Sequence, residues 1–84
     1  MKIVSNWEAE TMKFTWEDVV GVKSDAPLPF RPNHTGVVVG SFRIESEAVA
    51  DARGWPIGTI LYTIEFPDGN ALEIPEGFLE LLSV

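Results

Sequence analysis

Residues 61–74, LYTIEFPDGNALEI, leave the backbone little choice. Tyr62, Ile64 and Phe66 alternate with Thr63 and Glu65, and Leu72 and Ile74 alternate with Ala71 and Glu73. Each run therefore has one apolar and one polar face, the period-two pattern of a strand with one side in a core. Between the runs, Phe66-Pro67-Asp68-Gly69 places a fixed φ at the first central turn position, a turn-favouring aspartate at the second, and glycine where φ must become positive. The pattern predicts a type I turn with a glycine bulge. It also predicts a hairpin held in one register, because a slip of one residue would turn every apolar side chain to water.

The other elements are read outward from this hairpin. Downstream, Pro75-Glu76-Gly77-Phe78-Leu79 is too short for an α-helix and predicts a single 3-10 turn, followed by a closing strand through Leu81, Leu82 and Val84. Upstream, Thr15 and Asp18 fit a helix-capping pattern, but Val19, Val20 and Val22 with Gly21 among them favour a strand over residues 18–24. DAPLPFRPNHTG, residues 25–36, carries three prolines and predicts a loop, with Phe30 as its anchor. VVVGSFRI then gives a strand in which Val38, Phe42 and Ile44 share a face with Gly40, a residue that marks a bulge or sharp bend. The one helix falls over residues 46–53: Ser46 caps it, Glu47 and Arg53 suit the helix dipole, Gly54 suits a left-handed end, and Pro56 forbids continuation. Two turns are unstable alone in water, so this helix must dock on the sheet through Val49 and Trp55.

With 84 residues and 45% hydrophobic side chains there is room for one domain with one core. Residues 1–13 read as an N-terminal extension and residues 14–84 as the domain. The fold expected is mainly β: a small SH3-like barrel of about five strands, with the short helix inserted between the second and third. It is preferred to an open α+β sheet. No cysteine is present, no apolar run is long enough for a signal-peptide core or a membrane span, and the expected location is the cytoplasm.

Little in the chain points to chemistry. His34 is the only histidine and there is no cysteine, so neither a tetrahedral zinc site nor a nucleophilic triad can be assembled. The glycines are scattered one per bend and form no phosphate-binding loop. Asp68, Glu73, Glu76 and Glu80 match no EF-hand spacing, and a shallow domain gives little depth for shifting a carboxylate pKa. The expectation is a protein without catalytic residues, metal or other cofactor.

Charge is distributed unevenly along the chain. The net charge is −7; residues 1–43 hold five acidic and five basic side chains, whereas residues 44–84 hold eight acidic ones and only Arg53. Such a field disfavours nucleic-acid phosphates and anionic membranes and favours a basic protein partner. Tryptophan is enriched at interface hot spots, and three in this length is many. Trp16 is expected to plug the core, while Trp7 and Trp55 stand evenly between core and interface. The expected partner-binding surface is Glu45, Glu47, Asp51 and Trp55 on and beside the helix, with Glu65, Glu73 and Glu76 on the terminal hairpin.

The segments VVGVKSDAP, FRPNHTGVVVGSF and GTILYTIEFPDGNALEIPEGFLELL together resemble the immunity protein 31 family of bacterial polymorphic-toxin systems over about residues 14–82. The order of elements, above all the LYTIEF strand before its turn, also looks like the SH3-like domain of the nitrile hydratase β subunit. The first resemblance implies a cytoplasmic protein that binds and neutralises a toxin, and it carries over no catalytic residue. The second implies an accessory or structural subunit of a larger enzyme.

Overall fold

A computed structural model describes residues 12–82 of the chain. Trp7 with most of the expected extension, and Val84 of the expected closing strand, lie outside the described residues. The fold is mainly β. In chain order it runs β1 (Val19–Val22), a 3-10 turn (Leu28–Phe30), β2 (Thr35–Arg43), α1 (Glu47–Arg53), β3 (Ile60–Glu65), β4 (Ala71–Pro75), a second 3-10 turn (Glu76–Phe78) and β5 (Leu79–Leu81).

All five strands belong to one antiparallel sheet of order β4-β3-β2-β1-β5. The first four strands form a meander, and the second 3-10 turn carries the chain across to pair β5 with β1. The sheet is not closed, since β4 and β5 form its two edges. The barrel expected from the sequence is thus met in strand number, inserted helix and final 3-10 turn, but not by a ladder that joins the edges.

The hairpin forms as its sequence dictates. Gly69 has φ 88°, its N–H donates to the Phe66 carbonyl at 2.9 Å, and the Phe66 N–H donates to the Asn70 carbonyl at 2.9 Å. This is a type I turn with a glycine bulge. Tyr62, Ile64, Phe66 and Ile74 enter the core, whereas Leu72 is only half-buried because β4 is an edge. With them pack Val20 and Val22 of β1, Val38 of β2, Leu79 of β5 and Phe14. Gly36 lies close against β3: a Cβ there would lie 2.5 Å from Ile64 Cγ2 and 2.8 Å from the Glu65 carbonyl oxygen.

Three expectations need correction. The β2–β3 register shifts between Val38 and Gly40, so a bulge at Val39 interrupts the alternation. Phe42 consequently leaves the face of Val38, pairs with Leu61, and stays 37% exposed. Trp16 does not plug the core; it is 67% exposed on a turn in which Glu17 has φ 76° and the Asp18 carboxylate accepts the Thr15 N–H at 2.9 Å. Asp18 thus closes a tight turn in place of the helix cap its spacing suggested. Finally, β5 begins at Leu79, before the Leu81 start expected, because the second 3-10 turn ends at Phe78.

Candidate functional site

Helix α1 is built by its own ends. The Ser46 hydroxyl accepts the Val49 N–H at 3.3 Å, and Gly54 closes the helix in the left-handed conformation with its N–H on the Ala50 carbonyl at 2.8 Å. Val49 and Ala50 are half-buried, and Glu45, Glu47 and Asp51 are exposed. These three carboxylates face water beside one another at the start of the helix and along it.

The other expected residues are placed differently. The Arg53 guanidinium lies 4.9 Å from the centre of the Phe42 ring and forms an ion pair with Glu73. That contact ties the end of α1 to the outer face of β2 and β4, where register aligns Phe42 with Leu61 and Pro75. Leu61 is only 2% exposed although it points away from the main core. Glu73 therefore anchors the helix.

Trp55 is half-buried. Its ring lies 6.3 Å from Phe30 and 6.4 Å from Phe78, which are themselves 5.9 Å apart. Three segments distant in sequence, the first 3-10 turn, the residue after α1 and the second 3-10 turn, are joined by this aromatic cluster. The ring of acids expected around an exposed Trp55 gives way to this packing, since joining large apolar rings withdraws more surface from water than leaving one exposed.

Glu76 is half-buried beneath the entering chain. Its Oε2 accepts the Tyr62 hydroxyl at 2.8 Å and the Lys13 N–H at 3.0 Å, while the Tyr62 oxygen accepts the Phe14 N–H at 3.2 Å. Tyr62 is fully buried, and burial, reinforced by the bond to Glu76, pushes its phenol up to about 12. A buried hydroxyl requires a partner, and Glu76 supplies it. Asp68 is held below the usual carboxylate range by the Asn70 N–H, with further help from Arg31 at 3.0 Å. Asp68, Glu73 and Glu76 are thus each committed to a different structural contact. Among the described residues no group of three His, Asp or Glu side chains is arranged to hold a metal ion, and no helix is long and apolar enough to cross a membrane.

Glu65 stands apart from the others. It is exposed, pairs with Val37 and Ala71, and borders a groove of about 240 Å³ that Thr35, Gly36, Val37, Phe66 and Pro67 also line. Sequence reasoning missed this groove; its only signal was the unbroken valine run of β2, which puts apolar side chains on both faces of the strand.

No family model, curated protein or solved structure matches this chain.

Proposed function

We propose that this chain is a non-catalytic protein-binding module that engages a basic protein partner, in the manner of an immunity protein neutralising a toxin in the cytoplasm. The observation that carries the reading is the exposure of Glu47 and Asp51 on one short helix and of Glu45 just before its cap, in a half-chain holding eight acidic side chains and one basic one. Carboxylates at the rim of an interface steer a cationic partner during encounter and add specificity. Arg53, the one cation of that half, is already paired with Glu73 and does not offset them.

The test is binding to the product of the neighbouring gene, its affinity and rates measured by surface plasmon resonance at several salt concentrations for the native chain and for Glu47→Lys with Asp51→Lys. The double variant is expected to lose roughly 1 to 2 kcal/mol of affinity, mostly through a slower association rate that depends steeply on salt. Unchanged rates with an intact circular-dichroism spectrum would overturn the reading.

A further inference from the structure

The outer face of the sheet is covered at one end and open at the other. Cross-strand register aligns Val19 of β1 with Val37 of β2, then Glu65 of β3 and Ala71 of β4, and the Leu82 N–H donates to the Val19 carbonyl at 2.9 Å. The neighbours of this row along each strand, Val20, Val38 and Ile64, are buried in the core, so the row lies on the opposite face. Leu82 lies across the sheet on that face, because a Cβ added to Gly21 would sit 3.1 Å from its Cδ1. Leu82 is 46% exposed, Val39 at the bulge 39% exposed, and Val37 half-buried. The far end of the face, at Phe42 and Leu61, is roofed by the Arg53 contact, whereas the near end is an apolar strip opening onto the groove beside Glu65.

The charges around this strip limit what fits it. Glu65 borders the groove, and Glu80 is exposed opposite Gly21 on β5. The nearby Arg31 is engaged by Asp68 and by the Phe66 ring, 4.8 Å away, which leaves Lys23 as the exposed cation that follows β1. Two copies of a chain of net charge −7 would bring Glu65 and Glu80 against their own kind. Like charges face to face disfavour self-pairing, and an apolar centre rimmed by carboxylates complements an apolar segment flanked by cations.

The geometry points to the strip of Val37, Val39 and Leu82, with Glu65 and Glu80 at its margins, as the docking surface for a polypeptide segment that presents an apolar row flanked by lysine or arginine. This rests on the protein-binding reading above and moves the centre of contact from the helix to the sheet. The helix carboxylates then guide approach, and the strip supplies the apolar contact.

The probe is a synthetic peptide of alternating lysine and valine, about eight residues long to match a strand, titrated into the full ¹⁵N-labelled chain. Shifts are expected at the amides of Gly36, Val37, Val39, Glu65 and Leu82. Replacing peptide lysines by glutamate or peptide valines by serine should abolish them, a comparison that leaves the protein untouched. Val39→Ser and Leu82→Ser in the chain should each weaken binding by about tenfold, as for a central interface contact. Shifts confined to residues 45–55 would overturn the sheet surface while upholding the acidic helix, and no shifts at all would overturn the sheet surface outright. Dimerisation without peptide, detected by sedimentation and perturbing the same amides, would assign the strip to a second copy and overturn a cationic partner.

Discussion

Tyr62 concentrates more of the structure in one side chain than any other residue. Its ring meets Phe14 edge to face at 5.2 Å, its oxygen accepts the Phe14 N–H, and its hydroxyl donates to Glu76, which in turn accepts the Lys13 N–H, so that residues 13 and 14 are fastened over the core. Because its folded pKa of about 12 lies above the ordinary value of 10, the fold favours the neutral phenol. That contribution is intact below about pH 10 and is lost as the pH rises through 12, a fall of roughly 2 to 3 kcal/mol. Urea unfolding at successive alkaline pH values should show the decline in the native chain and not in Tyr62→Phe; equal slopes in the two would sink the assignment. Glu76→Gln keeps an acceptor for the hydroxyl but loses the charge, and should cost about 1 kcal/mol at neutral pH in the same assay.

At the scale of elements, local chemistry was legible and distant pairing was not. The Pro67-Asp68-Gly69 turn, the Ser46 and Gly54 caps and the second 3-10 turn each depend on residues within a few positions of one another, and each stands where its residues dictate. Phe30 also anchors its loop, by packing against the core. The misplaced side chains depend on contacts across the chain. Phe42 turned with the bulge at Val39, Trp55 found Phe30 and Phe78, and Glu73 found Arg53 twenty residues away. For the candidate site, exposure of the helix carboxylates was readable from spacing, whereas commitment of Glu73 and Glu76 to structural roles was not. Close approach gives a further prediction: Gly36→Ala drives a methyl into backbone of β3 and should destabilise by about 2 kcal/mol or more in urea titration. An unchanged midpoint would mean that β2 can retreat from Ile64.

For the whole molecule, the sheet must bring β5 back to β1, so Val20 meets Leu81 only after the rest of the strands have been laid down in sequence between them. Contacts that span so much chain are formed late or slowly in folding. The excess of carboxylates works against the folded state at low salt, since compaction crowds like charges. Raising ionic strength from about 10 mM to 150 mM should therefore raise the thermal midpoint by a few degrees, because the Debye length falls from about 30 Å to 8 Å. A midpoint that fell with salt would indicate that pairs such as Arg31 with Asp68 outweigh the general repulsion.

The pairing of β1 with β5 also sets how the molecule bears a mechanical load. These strands are antiparallel, and Val19 and Leu82 meet at one end of their ladder. Tension applied through residues 18 and 82 would part the two strands one bridge at a time, as a zipper opens, instead of loading every bridge together in shear. Pulled between those positions, the protein should yield at low force, and β5 should peel away while the β2–β3–β4 meander still holds.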